Sequence, residues 1–475
     1  MTALRKALYA SASLGIGSLD YVVAVFLLKY YTDYTGLDAV WAGVALLIGK
    51  AFDAVSDPIM GTISDRTRSR WGRRRPWFLL GSLPLAISMI GMFSARPEWS
   101  QTQLFAWLVI TNILYWVGCT MVEVPHAAYG SEMTSTHRER ISVMGWRQGF
   151  ATLGLLLGGI LMFTVLEHAV DAATADATAR GLSGKATEEI ARVARGEAHG
   201  QISAFLAVYV VVVTVIAFLG TRERSGAHAP PRDTLFGDFG DTLRSRPFRI
   251  YTLAFIVGQV ADGLTATLAL YTIEEWWGLG DPHPKFILLG YMAMSVLSIP
   301  VWMRVAVHFE KGHMLAVGTL MGSIALLAML FVPQIGLWWA YASFYFAGVG
   351  LGVRTVMAMA IVPDIIDDDE VRTHTRKDGA YFGVLSLLRK LARSLAIGLS
   401  GIGLGFFGYV SGAVQQNADV QRGIIIMFCA VPIVFSTGAA ILFLLFPITR
   451  ARHEETLAEL ERHRERRDRE PTSLA

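Results

Sequence analysis

The feature that most constrains the fold of this chain is a series of apolar stretches, each about as long as a helix that crosses a lipid bilayer. Such a helix needs about 20 apolar residues. Only 17% of the residues are charged, against about 25% in an ordinary soluble domain. We therefore predict an all-α membrane protein with twelve transmembrane helices. The stretches lie near residues 10–32, 39–63, 76–95, 103–125, 144–166, 203–220, 248–272, 285–306, 313–332, 336–361, 380–406 and 424–447.

The loops between these stretches differ in positive charge, and this difference predicts the orientation of the chain. Lys and Arg in short loops are retained on the cytoplasmic side. The loops after the second, fourth, sixth, eighth and tenth stretches carry these residues, and the opposite loops carry few. We expect a multi-pass protein of the cell (inner) membrane with both termini in the cytoplasm. The charged tail 450–475, with Glu and Arg at helical spacing, predicts a solvated helix rather than a nucleic-acid patch.

A polar segment rich in Pro and Gly lies midway along the chain, at residues 221–246. It predicts a cytoplasmic linker between two six-helix bundles, residues 1–220 and 247–449. A Val-Pro pair recurs in the two halves, at residues 124–125 and 362–363, and in each half the next helix carries a basic residue inside its apolar stretch. Parallel six-span repeats are a known transporter plan. A shared need for a proline near a helix end would also explain the matching letters.

The predicted outer loop 167–201 is long and rich in alanine. Its second part has a helix-forming composition without a continuous apolar face. Two interpretations remain open, a surface helix without a transport role and a mobile lid, and the composition favours the surface helix.

Two carboxylates stand out inside the second apolar stretch, which ends in a run of arginines. Asp53 and Asp57 are four residues apart and therefore share one face of a helix. Like charges in a low-dielectric layer repel each other unless a cation or a proton lies between them. We therefore predict that Asp53 and Asp57 hold an exchangeable cation and are the metal-binding residues. The alternative is that an Arg or Lys from another helix neutralises them.

Several strings resemble one transporter family. They are DAVSDPIMGTISDRTRSRWGRRRPW, PDIIDDDEVRTHTRKDGAYFG and the Lys390 segment LLRKLARSLA. Together they are similar to the glycoside-pentoside-hexuronide:cation symporters of the major facilitator superfamily, the family of melibiose permease, over essentially all twelve spans. The resemblance implies the major facilitator fold, with two pseudo-symmetric halves of six helices.

The resemblance also implies a cation site. Asp53 and Asp57 match the two cation-site aspartates of the family, and Thr120 on the fourth span matches a hydroxyl that helps to coordinate the ion. Carboxylate and hydroxyl oxygens suit Na⁺ or Li⁺, and the same carboxylate pair could share a proton. The choice between Na⁺, Li⁺ and H⁺ stays open, and no cofactor beyond the coupling cation is expected.

For the solute, the resemblance implies a group of polar residues inside the spans. Asp20 matches the family's sugar-binding aspartate, Glu123 stands where another aspartate is usual, and Arg147 resembles an arginine near the sugar. An Arg147–Glu123 pair that only joins two helices is the alternative for the last two. Lys390 matches a lysine that reaches toward the ion and sugar sites, although it could instead be a charge partner of the aspartates.

Other polar residues have weaker assignments. Gln259 and Asp262 on the seventh span share one inward helix face, and we expect one of them near the cavity, independently of the resemblance. Two departures weaken a galactoside assignment, since Leu19 replaces a lysine and Ala127 replaces a ring-stacking tryptophan. His126, next to Pro125, is expected to be a satisfied structural residue rather than a ligand.

Charged loops on the cytoplasmic face resemble the gate of the superfamily. Asp65, Arg66, Arg73 and Arg74 match its GxxxDRxGRR motif, stretched by extra residues, and Asp364 and Asp367 lie in the acid-rich loop of the second half. The resemblance implies that these charges latch the two halves in one conformation. The arginines could also serve only to fix the topology.

The function implied is cation-coupled symport of a glycoside or related small sugar by alternating access. A carrier of lysophospholipid or another amphiphilic solute is the alternative, and a receptor that has kept the fold is a third possibility. An enzyme is not expected, because the sequence has no nucleotide-binding loop, metalloprotease helix or nucleophile constellation. The expected partners are the solute, the cation and membrane lipid, without nucleic acid or an obligate protein partner.

Overall fold

The computed structural model describes residues 1–134, 137–222, 240, 242–375, 377–411, 413 and 416–469. Every regular element in these residues is helical, as the sequence predicts. We number twelve main helices and a tail helix. They are α1 (Ala3–Lys29), α2 (Ala39–Arg66), α3 (Pro76–Met92), α4 (Gln101–Glu132), α5 (His137–Ala179), α6 (Lys185–Gly220), α7 (Arg246–Tyr271), α8 (His283–Val305), α9 (Lys311–Met329), α10 (Leu337–Thr373), α11 (Asp378–Phe406), α12 (Ala418–Leu444) and α13 (Arg450–Arg469).

The twelve main helices coincide with the twelve apolar stretches. Ten helices in the described residues are long and apolar enough to cross a membrane. The other two differ for simple reasons, since α3 is an apolar helix of 17 residues and α11 carries Arg389, Lys390 and Arg393 among its apolar residues. The prediction of an all-α membrane protein is confirmed.

The predicted outer loop 167–201 is largely helical. Helix α5 continues to Ala179 and α6 begins at Lys185, so a short turn joins two membrane helices that extend beyond their apolar stretches. The extensions form because Ala, Glu and Arg favour helix even where no apolar face exists.

The chain divides into two compact units. The first comprises Met1–Pro231, Gly263–Leu289 and Arg393–Phe428, and the second comprises Arg232–Asp262, Gly290–Ala392 and Cys429–Ala475. These boundaries differ from the predicted division at a central linker. That division stays a prediction, and most of the linker 221–246 lies outside the described residues.

In the first unit, α1 and α5 cross at very short distance because small residues line the contact. A Cβ atom added to Gly154 of α5 would lie 2.1 Å from the carbonyl oxygen of Leu14, and one added to Gly17 of α1 would lie 2.3 Å from that of Ala151. Helices in lipid associate through such small residues, because close backbone approach gains dispersion contacts. This crossing fixes the part of α1 that carries Asp20.

Helix α2 is held on two sides within the same unit. The Asn112 side-chain amide of α4 donates to the carbonyls of Ala45 and Leu46, at 3.1 and 3.2 Å. On another side, Gly43 meets Gly401 of α11, where an added Cβ on Gly401 would lie 2.4 Å from the Gly43 Cα. The aspartate-bearing helix is therefore positioned by both α4 and α11.

The second unit has its own core, built from side chains of α7, α9, α10, α11 and α12. The Tyr251 hydroxyl of α7 donates to the carbonyl of Ala358 on α10 at 2.6 Å. The tail helix α13 packs onto this unit, because Leu460 is buried and Arg452 pairs with Asp368 at 2.9 Å. The tail is helical as predicted, but one of its faces is packed rather than solvated.

The α1–α5 crossing yields a stability prediction. Gly154→Ala should destabilise the protein by about 1–3 kcal/mol, because the added methyl group overpacks the contact with Leu14. Gly149→Ala on the same helix is the matched control, since a Cβ there meets no atom within 4 Å and Ala is a better helix former. Thermal unfolding of the two variants in detergent tests this. Equal melting temperatures would show that the crossing tolerates a larger residue.

Candidate functional site

The structure brings Asp53, Asp57 and Thr120 together. Asp53 and Asp57 lie one turn apart on α2, and the Thr120 hydroxyl of α4 is 3.1 Å from Asp53 Oδ1 and 3.2 Å from Asp57 Oδ1. Asp53 and Thr120 are almost fully buried. Because a hydroxyl has one proton, Thr120 can donate to only one of the two carboxylates at a time. The Thr120 hydroxyl is therefore a donor that the two carboxylates share.

A second hydroxyl adds an oxygen to this group. Ser56 of α2 lies between the two aspartates in sequence, and its Oγ is 2.9 Å from Thr120 Oγ1. Pro58 lies inside α2 and has no N–H, so the helix cannot form its usual bond to the carbonyl of Ala54. The site itself therefore combines two carboxylates and two hydroxyls.

The chemistry of these donors fits a small monovalent cation. All are hard oxygen atoms, which suit alkali and alkaline-earth ions rather than softer metals. Within the described residues no group of three or more His, Cys, Asp or Glu side chains is placed to hold a metal ion. The two carboxylates carry two negative charges, of which the Lys50 ammonium beside Asp53 offsets one, and the remaining charge matches a singly charged ion.

A buried lysine also occupies this region. Lys50 of α2 places its Nζ 2.9 Å from Asp53 Oδ2 and 3.1 Å from the centre of the Trp116 ring of α4. The alternative to a cation, in the sequence analysis, was an Arg or Lys from another helix that neutralises the aspartates. Lys50 is such a basic partner, but it lies on the same helix as Asp53. Sequence reasoning missed Lys50, although its spacing of three residues from Asp53 was a usable signal.

Asp20 lies close to the aspartate pair. The Tyr115 hydroxyl of α4 donates to Asp20 Oδ1 at 2.8 Å. Asp20 interacts electrostatically with Lys50, Asp53 and Arg393. Cys119, next to Thr120, interacts electrostatically with Asp20, Glu123 and Asp53. The candidate solute residues Asp20 and Glu123 thus lie in the same polar region of the first unit as the candidate cation residue Asp53.

Arg147 and His126 have different surroundings. Arg147 of α5 has a buried Nε without a hydrogen-bond partner in the described part of the chain. His126 is buried, its Nε2 lies 2.8 Å from the Tyr9 carbonyl oxygen, and its ring stacks on the Tyr9 ring at 4.2 Å. His126 is therefore a satisfied structural residue, as expected.

Two of the predicted solute residues belong to the second unit, namely Lys390 of α11 and Asp262 of α7. Asp262 accepts two hydrogen bonds from Arg354 Nη1 of α10, at 2.7 and 2.9 Å. Sequence reasoning did not identify Arg354, which lies inside a transmembrane helix and is an intramembrane cation of the kind that marks functional sites. Asp262 is thus part of an ion pair.

The predicted cytoplasmic gate contains a compact charge cluster in the first unit. Arg74 Nη2 contacts Asp65 at 2.8 Å and Glu132 at 2.9 Å, and Arg73 contacts Glu132 at 2.6 Å. Glu132, at the end of α4, was not anticipated. Arg66 is exposed at the end of α2. The cluster joins the end of α2, the following loop and the end of α4.

In the second unit, Asp364 of the acid-rich segment pairs with Lys311 at 2.7 Å and lies 3.5 Å from His453 of the tail helix. Asp367 lies on the same stretch of α10, one turn further on. These aspartates are helical rather than in a loop, because α10 continues to Thr373.

A charge cluster that the sequence did not predict lies at the C-terminal end of α1. Lys29 contacts Asp33 at 2.6 Å, Glu274 at 3.1 Å and Glu275 at 3.7 Å. The Tyr409 hydroxyl donates to Asp33 at 2.6 Å, and all of these residues belong to the first unit. The sequence contained a signal for this cluster, namely Lys29 at the end of the first span and the adjacent Glu274 and Glu275 at the end of the seventh.

Comparison with known proteins places the chain among transporters. The sequence model of the family described as "MFS/sugar transport protein" matches residues 8–450. The chain is 29% identical to the inner membrane symporter YicJ of Escherichia coli, over 88% of this chain and 86% of that protein. It is 24% identical to the sodium-dependent lysophosphatidylcholine symporter 1-B of Danio rerio, over 98% of this chain and 91% of that protein.

A solved structure with the same fold is that of a bacterial homologue of the human lysosomal transporter Spinster, in an inward-facing and occupied conformation. The superposition has a TM-score of 0.66 at 14% identity, and it covers 95% of this chain and 97% of the other. At this identity the likeness concerns the fold alone.

The charge cluster around Arg74 yields a stability prediction. Arg74→Ala removes the shared partner of two carboxylates, and separating a buried pair costs about 3–5 kcal/mol. Because Asp65 and Glu132 are each 32% exposed, we expect a smaller loss, seen as a fall in melting temperature of roughly 3–6 °C. Arg70→Ala in the same loop, at an exposed position, is the matched control. The cluster is unimportant for stability if both variants melt alike.

Proposed function

We propose that this chain, which belongs to the MFS/sugar transport protein family, couples the movement of a small polyhydroxylated solute to a monovalent cation bound by Asp53, Asp57 and Thr120. The observation that carries the proposal is the carboxylate pair of buried Asp53 and partly buried Asp57, with the Thr120 hydroxyl between them. Such a pair repels itself in an apolar layer unless a positive charge joins it.

The class of the protein is established by its family and its fold. It is a multi-pass membrane protein and a secondary transporter of the symporter type, not an enzyme. The substrate and the coupling ion go beyond that class and rest on the residues of the site.

The coupling ion is best assigned as Na⁺, with H⁺ as the competing candidate and Li⁺ as a further possible substitute. Two carboxylates and the hydroxyls of Thr120 and Ser56 supply enough oxygen atoms for an alkali ion. A proton shared by the two carboxylates would involve only carboxylate oxygens, whereas an alkali ion would be contacted by the two hydroxyls as well. The sodium-dependent relative, 24% identical over nearly the whole chain, supports the same choice.

The solute is best assigned as a glycoside or another small sugar. Asp20, Glu123 and Arg147 offer carboxylate acceptors and a guanidinium donor, which together suit hydroxyl groups. The buried Arg147 Nε without a described partner is a donor that a solute oxygen could satisfy. Lys390 and Asp262 are proposed as further solute residues, although Asp262 would have to share Arg354 with the solute.

An amphiphilic lipid is the second candidate, and one relative favours it specifically, the lysophosphatidylcholine symporter. Ala127 in place of a ring-stacking tryptophan also removes a contact that sugar rings use. The two candidates differ in what they require, since a lipid tail needs an apolar path, whereas a sugar needs the charged residues Asp20 and Glu123.

Alternating access requires contacts that close each side in turn. We propose that both termini are cytoplasmic and that the protein lies in the cell membrane. The cluster of Asp65, Arg73 and Arg74 then lies on the cytoplasmic face with Arg66, Asp364 and Asp367 as further gate residues. The Lys29 cluster lies on the outer face, where it joins the ends of α1 and α7, and these contacts must separate before solute can enter.

Coupling follows from linkage between the two sites. A cation that neutralises Asp53 and Asp57 changes the electrostatic field at Asp20, because these groups share one polar region. If the cation increases the affinity for the solute by some factor, the solute increases the affinity for the cation by the same factor. A short distance between the sites makes such a coupling electrostatically effective.

The test is uptake into proteoliposomes of a panel of radiolabelled glycosides, pentoses, hexuronides and lysophosphatidylcholine, under imposed Na⁺ or H⁺ gradients. Accumulation of a sugar that follows the Na⁺ gradient supports the proposal. Accumulation of lysophosphatidylcholine alone would move the assignment to the lipid candidate. Accumulation that follows only the H⁺ gradient would replace Na⁺ as the coupling ion.

A substitution in the cation site should separate transport from coupling. Asp57→Asn keeps the size of the side chain but removes one charge, so gradient-driven accumulation should fall by about tenfold or more while folding is retained. Asp38→Asn is the matched control, because Asp38 caps the exposed start of the same helix and Asn caps equally well. Full gradient-driven accumulation by Asp57→Asn would exclude this residue from the cation site.

A further inference from the structure

We propose that the Lys50 ammonium competes within the molecule with the coupling cation for Asp53, and that the cation displaces it toward Asp20. This inference rests on the proposed function and adds a positioning residue that links the cation site to the solute site. It does not depend on which solute is carried.

The Lys50 ammonium lies at one of the two carboxylates of the cation site. Lys50 Nζ lies 2.9 Å from Asp53 Oδ2, so it contacts one of the carboxylates on which the cation would bind. The lysine is buried, with 8% of its surface exposed, and therefore cannot simply extend into water when a cation arrives. Two positive charges at the same carboxylate repel each other strongly in a low-dielectric region.

Asp20 is a second carboxylate in the electrostatic neighbourhood of the Lys50 ammonium. Within the described residues, Asp20 accepts a hydrogen bond on Oδ1 alone, from the Tyr115 hydroxyl at 2.8 Å. A lysine side chain has four rotatable bonds beyond Cα, so a rotamer change moves the charge without any movement of α2. Displacement toward Asp20 therefore keeps the ammonium paired.

The face of the Trp116 ring is the surface along which the Lys50 ammonium would move. Lys50 Nζ lies 3.1 Å from the centre of the Trp116 ring, and an aromatic face stabilises a cation without fixing it to one acceptor. Trp116 is next to Tyr115 on α4, and Tyr115 is the donor to Asp20. The ring thus lies beside the proposed path between the two carboxylates.

The consequence is a link between cation and solute. When Na⁺ takes Asp53, the ammonium moves beside Asp20 and adds a hydrogen-bond donor to the solute region. When the cation leaves, Lys50 returns to Asp53 and prevents two bare carboxylates from facing each other. Lys50 thereby lowers the affinity for the cation and makes solute binding depend on it.

The experiment measures equilibrium binding of ²²Na⁺ to the purified full-length protein at alkaline pH, where protons compete least, and uses Trp116 as an optical reporter. Lys50→Gln should bind Na⁺ about tenfold more tightly or better, because the competing charge is gone. Lys50→Arg should stay near the wild type or weaker, and Lys285→Gln, a partly exposed lysine paired with Glu167 at 3.0 Å, should not change the affinity.

The optical reporter tests the displacement itself. Na⁺ should change the tryptophan emission of the wild type, and this change should be lost in Trp116→Phe, which keeps an aromatic face but removes the reporter, and in Lys50→Gln. The signal requires no solute. If Lys50→Gln does not fold, comparison of the wild type with Trp116→Phe still tests whether Na⁺ changes the emission of Trp116.

The outcomes separate this inference from the proposed function. Na⁺ binding that is lost in Asp53→Asn but unchanged in Lys50→Gln would overturn the competition and leave the cation site intact. A Trp116 signal that persists in Lys50→Gln would overturn the displacement. Absence of Na⁺ binding in the wild type, together with uptake that ignores the Na⁺ gradient, would contradict the sodium site itself and the competition with it.

Discussion

Two carboxylates one helical turn apart in the apolar middle of α2 impose the constraint on which the rest of this structure depends. Two unit charges about 4 Å apart interact by about 4 kcal/mol at an effective dielectric of about 20, and the interaction is unfavourable for like charges. The surroundings of Asp53 and Asp57 counter it with the Thr120 hydroxyl and the Lys50 ammonium. In the proposed function, a mobile cation completes the same balance, so that the site can bind an ion and release it.

Helix packing keeps these groups at their distances. Asn112 bonds two carbonyls of α2, and Gly43 and Gly401 allow α11 to approach α2 closely. On the neighbouring helix, the glycine crossing of α1 and α5 fixes the segment that carries Asp20. A polar site inside a membrane protein thus rests on small residues, because only they let the polar groups of different helices come within a few ångströms.

The sequence predicted the positions of the twelve helices because apolar length is a local property, and it predicted the aspartate pair because a spacing of four residues is local too. It did not predict Lys50 as the partner of Asp53, because that contact depends on the choice of side-chain rotamer. The Arg354–Asp262 pair depends on the packing of α7 against α10, which no local pattern encodes. The sequence predicted a helix in the second part of the 167–201 segment, but not that α5 and α6 extend into this segment without a break, because apolar length stops at the bilayer, whereas helix propensity does not.

The measurement that tests the account most directly is an experimental structure of the protein at high Na⁺ concentration, compared with one in choline. The account predicts density contacted by Asp53, Asp57 and Thr120 in Na⁺, with Lys50 Nζ moved from Asp53 toward Asp20, and the Lys50–Asp53 contact restored in choline. A Lys50–Asp53 contact that is the same in both structures, with no density among the three residues in Na⁺, would contradict it.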